Sequence, residues 1–324
     1  MRGAFLAVGV LMAQVVLAGQ IRQGEMVSAH LNRPWNYWLY VPDEPPQMVL
    51  YLLHGHGGSG HEWIEQGDVP ALLDRLIAED RMPPVMAVMP DAGTSWYVDS
   101  ARGAMESAVM EDLLPTVESE MGVRLQRDER AMMGVSMGGY GALRLAMRYP
   151  ERFGAAALLA PACYVPVPPE DSGARSAGVF GGAGFNPVIW MRHNYPAYWE
   201  SFVAKGLSLP FFIGAGDDDH YQAEAQATLL YERLQRASLP AQLRIVDGGH
   251  DWPTWKDMEE EALDYLAQSL ENAGKGAAAQ RSMPPPGDQL AASHAAPHLE
   301  PQATVRDTST PGGEVMMTQE KKQP

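Results

Sequence analysis

A single cysteine, Cys163, stands in a chain of 324 residues. No intramolecular disulfide can form, so the folded core must hold by burial alone. Cations are scarce as well: 24 Lys and Arg face 40 Asp and Glu, a formal charge of −16. Nucleic acids and anionic membranes are bound through clustered Lys and Arg, so neither is an expected partner. Long apolar runs are missing too. The N-terminal stretch from Ala4 to Leu17 is shorter than the ~20 residues of a membrane span, so stable membrane insertion is not expected. With Arg2 before it and small residues at Val16–Ala18, it predicts a secretory signal over residues 1–18 and a secreted or periplasmic product. No cysteine stands directly after the cut site, so a lipid anchor there is not indicated. From about Asn272 onward apolar periodicity fails while Pro, Gly, Ala, Ser and Thr abound. That composition predicts a disordered tail over 272–324.

What remains, residues 19–271, has one domain's length and no internal repeat. Short apolar runs alternate with segments of helical period. Met48–Leu53, Val85–Met89, Ala131–Val135, Ala155–Ala160, Phe211–Gly214 and Leu243–Val246 predict buried strands. Ala71–Glu79, Met105–Met121, Met137–Tyr149, Gln222–Ala237 and Trp255–Leu270 predict helices. Such alternation implies an α/β fold, a mainly parallel central sheet with helices on both faces. Glu25–Val41 alternates instead with period two, which predicts an antiparallel pair at the N-terminal edge. Cys163, at the end of AAALLAPACYV, reads as a small core residue rather than a nucleophile.

The stretch GVSMGG sets Ser136 between a predicted strand and a predicted helix. Its glycines allow a turn so tight that side chains beside the serine would strike backbone. That turn lifts the serine oxygen above the strand ends, at a helix N-terminus whose amides favour a developing anion. A serine hydroxyl attacks only when a base takes its proton, so the reading requires a histidine and a carboxylate to orient it. VDGGHDWPTW offers His250 after the last predicted strand, and FFIGAGDDDHYQ offers Asp217, Asp218 and Asp219 after the one before. Only one of the three aspartates can point at the imidazole; Asp219 is the choice, with Asp217 or Asp218 as alternatives. The order Ser, Asp, His is that of the α/β-hydrolase fold. An oxyanion needs two donors, expected from the backbone amides of Met137, after the nucleophile, and His56, in the loop LLHGHGGSG. A competing reading makes His54, His56 and His61 zinc ligands; no neighbouring carboxylate or thiolate completes a known spacing, and no metal is expected.

LLHGHGG, TSWYVDS, GVSMGGYGA and GGHDWPTW together resemble an esterase family of α/β-hydrolases, over about residues 25–271. It includes S-formylglutathione hydrolase, feruloyl esterases and the antigen 85 mycolyltransferases. The resemblance implies Ser136 as acyl-accepting nucleophile, His250 as general base and Asp219 as its partner, with a small-molecule or carbohydrate-linked ester as substrate and no cofactor. His220-Tyr221 after Asp219 matches the aromatic continuation of related esterases. Trp96 and Tyr97 match an aromatic stretch bordering the acyl pocket, and Gly178–Trp199 matches a variable cap that sets substrate shape. A serine peptidase on the same fold and a non-catalytic envelope-binding protein are the rival readings.

Overall fold

The computed structural model describes residues 19–120, 122 and 125–282. The expected signal segment and the part of the expected tail beyond Ser282 lie outside them.

Eight strands form one sheet: β1 (Gln20–Ser28), β2 (Arg33–Val41), β3 (Met48–Leu53), β4 (Val85–Pro90), β5 (Arg130–Val135), β6 (Ala155–Leu159), β7 (Phe211–Gly216) and β8 (Ala241–Val246). Their spatial order is β1-β2-β4-β3-β5-β6-β7-β8. β1 pairs antiparallel with β2, and β2 with β4; every other neighbour is parallel. The five strands from β3 to β7 are buried at each residue. Continuous apolar runs such as MVLYLL and FFIGAG allow this, because both faces of a parallel sheet are covered.

β8 departs from the expectation of a buried strand. It lies at the sheet edge and is half-exposed along its length. Its sequence AQLRIV carries Gln242 and Arg244, polar residues of the kind that guard a free edge.

The main helices are α1 (Val69–Ala78), α2 (Met105–Glu120), α3 (Met137–Arg148), α4 (Ala223–Arg236) and α5 (Trp252–Ser282). α2 is α-helical at both ends and π-helical over Ala108–Leu113. α5 corrects the expected start of the tail, since it runs unbroken past Asn272 to Ser282. AGKGAAAQ lacks a stripe of large apolar residues, but alanine is the strongest helix former. A Lys275–Glu271 pair at 2.6 Å and one-turn spacing adds to it.

Cys163 is fully buried, and burial pushes its thiol up to about 12. It is a core residue, as expected, with its sulfur held as the unreactive thiol. The segment after β6 is pinned to α3 by Arg144, itself fully buried. Its guanidinium donates to the Glu106 carboxylate of α2, and to the His193 carbonyl and Tyr198 hydroxyl at 3.2 Å each.

Candidate active site

The connection from β5 to α3 turns on Ser136, whose φ and ψ are 54° and −114°. A non-glycine residue is held in such a sparsely populated conformation only when its surroundings over-determine it. The Ser136 amide donates to the Leu159 carbonyl at 2.8 Å, and its carbonyl accepts from Tyr140 and Ala162 at 3.0 and 3.1 Å. The two glycines make room. A Cβ on Gly134 would overlap the Gly138 carbonyl, and one on Gly138 would overlap the Leu53 carbonyl.

Two loops at the C-terminal ends of β7 and β8 bring the other groups to the serine. Gly248 donates to Asp217 Oδ1 at 3.1 Å, while the amides of Asp217 and Asp218 donate to the Val246 and Gly248 carbonyls, both at 2.9 Å. Asp217 and Asp218 themselves face solvent. Asp219 is buried: its Oδ1 accepts from the Tyr221 amide at 2.9 Å and its Oδ2 lies 2.6 Å from His250 Nδ1. His250 Nε2 lies 2.7 Å from Ser136 Oγ. A carboxylate only accepts, so Nδ1 carries the proton and, in the neutral ring, Nε2 is the acceptor for the serine hydroxyl. Tyr221 and Trp255 meet the imidazole edge-on, with centroids at 4.9 and 5.3 Å.

The loop after β3 closes the site from the other side. The amides of Gly57, Gly58 and Gly60 are engaged by Gly93, Gly55 and Asp91. Those of His56 and Met137 donate to no protein acceptor among the described residues; for Met137 this follows from its place in the first turn of α3. His54 braces the loop. Its Nδ1 donates to the Gly55 carbonyl at 2.6 Å, its Nε2 accepts from the Ala92 amide at 2.8 Å, and burial lowers its pKa. The three histidines of the zinc reading do not converge: His54 has both ring nitrogens engaged, His56 Nδ1 accepts from Trp96 Nε1 at 3.2 Å, and His61 packs on Trp38.

Ser136, His250, His56 and Trp96 line one cleft of about 490 Å³. Tyr97 does not, contrary to the expectation that it borders the pocket. It is fully buried, its ring lies over Gly141 of α3 and its hydroxyl donates to the His54 carbonyl at 3.2 Å. Gly178–Trp199 does not line the cleft either. Phe180 and Trp190 instead back Trp96, at centroid distances of 5.7 and 5.8 Å. Tyr221, expected beside Asp219, lines the cleft, and the other walls come from residues without an expected role: Glu62, Gln66, Tyr164, Trp252 and Trp255. The two tryptophans follow His250 in HDWPTW, and their spacing after the histidine is the available signal.

The sequence is 26% identical to an endo-1,4-beta-xylanase/feruloyl esterase of Xylanibacter ruminicola, over 76% of this chain but only 30% of that protein. It is 24% identical to an acetyl esterase of Caldicellulosiruptor saccharolyticus, over 68% and 83% of the two chains. Among solved structures, a ferulic acid esterase superposes with a TM-score of 0.68 at 26% identity, covering 78% of this chain and 99% of the other. An S-formylglutathione hydrolase from Agrobacterium tumefaciens gives 0.64 at 21% identity, covering 81% and 100%. The sheet order and these likenesses make the fold that of the α/β-hydrolases. With its family match running over residues 28–263, most of the chain, this protein belongs to the family described as "Putative esterase".

Proposed function

We propose that this protein is a serine esterase that cleaves a carboxylic ester through an acyl-enzyme on Ser136. The observation that carries the reading is the unbroken run of hydrogen bonds from Asp219 through His250 to Ser136 Oγ, at 2.6 and 2.7 Å, at the floor of an open cleft. Ser136 Oγ attacks the ester carbonyl as its proton passes to His250 Nε2, and Asp219 stabilises the imidazolium that forms. The carbonyl oxygen, now an oxyanion, accepts from the His56 and Met137 amides. The carbon–oxygen bond to the alcohol breaks, and the alcohol leaves with the proton from His250. Water then repeats the sequence on the acyl-enzyme and regenerates the serine; a second alcohol in place of water gives acyl transfer. The names of the relatives, feruloyl esterase and acetyl esterase, support a small or carbohydrate-linked ester as substrate.

The test is a panel of p-nitrophenyl esters of graded acyl length, a feruloyl ester, a thioester and a peptide amide. Ester turnover should fall by about 10⁴ in Ser136→Ala. Retention within roughly tenfold, or amide cleavage outpacing every ester, would overturn the reading. The N-terminal cation followed by a short apolar stretch supports export. N-terminal sequencing of extracellular or periplasmic protein should start near Gly19, and an uncut cytoplasmic chain would contradict it.

A further inference from the structure

Glu62 opens the short helix Glu62–Glu65, directly after the loop that carries the His56 amide. Its carboxylate lies against Gly58, in the space that a side chain there would fill. It is half-buried and lines the same cleft as Ser136 and His250. No hydrogen-bond donor or cation pairs with it among the described residues. Burial raises its pKa, and no neighbouring charge contributes to the shift.

The wall around it has a consistent character. Trp252 stands beside Gly67, whose Cβ position would be 3.0 Å from the indole, so the Glu62 segment and the residues after His250 form one surface. Asp251 and Trp255 belong to that surface, and no Lys or Arg among the described residues lines the cleft. Asp251 is already committed, since its Oδ1 accepts from the Thr254 amide and hydroxyl at 3.1 and 2.8 Å. Asp251 keeps Oδ2 without a donor, and Glu62 is the carboxylate with no donor at either oxygen among the described residues. His250 hands its proton to the departing alcohol, and the alcohol is taken to lie along the wall that Glu62 shares with Asp251 and Trp252.

We propose that Glu62 makes the alcohol side of this cleft selective for charge, favouring esters of cationic alcohols over neutral isosteres and rejecting anionic ones; this rests on the esterase reading above. A carboxylate that has lost water without gaining a partner is restored by a cation brought with the substrate. Trp252 and Trp255 on the same wall are aromatic groups of the kind that attract a quaternary ammonium. An anionic leaving group meets two carboxylates and no cation. Thioesters of glutathione, whose leaving thiol is net negative, fall on the rejected side.

The experiment compares kcat/KM for three esters of one acyl group: choline, 3,3-dimethylbutanol, its uncharged isostere, and glycolate. Choline should exceed dimethylbutyl by about tenfold at low salt, the preference should shrink as salt is added, and the glycolate ester should be slowest. Glu62→Gln should lower the choline-to-dimethylbutyl ratio several-fold toward one, with Asp251 left as the second carboxylate of the wall. Gln66→Arg, a cation added to the exposed rim of the same wall, should lower it as well. Ratios within one enzyme cancel any common loss of turnover or folded fraction. A wild-type ratio near one, or a ratio unchanged in both variants, overturns the charge selectivity and leaves the esterase reading standing. Absence of turnover on every ester, with Ser136 unreactive toward a fluorophosphonate, overturns the esterase reading and this inference with it.

Discussion

At the scale of single residues, the three aspartates after β7 divide their work. Asp219 is buried against His250, whereas Asp217 ties the two loops together through Gly248 and Asp218 faces solvent. Asp219→Asn should therefore lower kcat by about 10² to 10⁴ with little change in KM, because the lost interaction strengthens only as the imidazole gains its proton. Asp217→Ala should leave kcat per folded molecule nearly intact and lower Tm, since Gly248 loses its acceptor. Kinetics and thermal melts on the two variants check this; a large kinetic defect at Asp217 alone would reassign the acid. The strand–turn–helix around Ser136 was legible because its signals are local: an apolar run, glycines on both sides and a helical period afterwards. Tyr97 was not. Its ring lies over Gly141, far along the chain, and nothing in TSWYVDS tells an aromatic lining a pocket from one beneath it.

At the scale of elements, the helices around the serine are held by a buried charge network. Arg144 of α3 reaches the Glu106 carboxylate of α2, which also accepts from Arg148 and from Tyr149 at 2.8 Å, and it reaches the backbone of His193 beyond β6. Removing one buried partner strands the other charge, so Glu106→Leu should cost about 3–5 kcal/mol in urea unfolding. The double variant Glu106→Leu/Arg144→Met should recover part of that, since no lone cation remains buried. Strictly additive losses would contradict the coupling. The β3 to β7 strands could be read from sequence because burial on both faces leaves uninterrupted apolar runs. β8 was misjudged because a strand at the edge keeps a strand-like sequence without that burial. The end of α5 was missed for a related reason: periodicity reports a buried face, and an alanine-rich helix can continue without one.

At the scale of the whole molecule, stability should depend on pH through Glu259 of α5. Burial raises its carboxyl to about 8, with Lys256 opposing and Asp68 adding to the shift, and its Oε1 has no partner. The folded state keeps this proton up to about pH 8 while the unfolded chain releases it near 4.5. Between those values the unfolded state binds fewer protons, so stability falls as pH rises, by up to about 1.4 kcal/mol per unit. Glu259→Gln should flatten that decline in thermal melts, gaining most at pH 8 and little at pH 4.5; parallel curves for the two proteins would contradict it. The central claim, that Ser136 is an activated nucleophile, is tested most directly on the intact chain. After brief exposure to a fluorophosphonate, intact-protein mass spectrometry should show one added label, mapped to Ser136, with labelling absent in Ser136→Ala and strongly slowed in His250→Ala. Equal labelling of the wild type and Ser136→Ala, or a label mapped to another residue, would contradict the account.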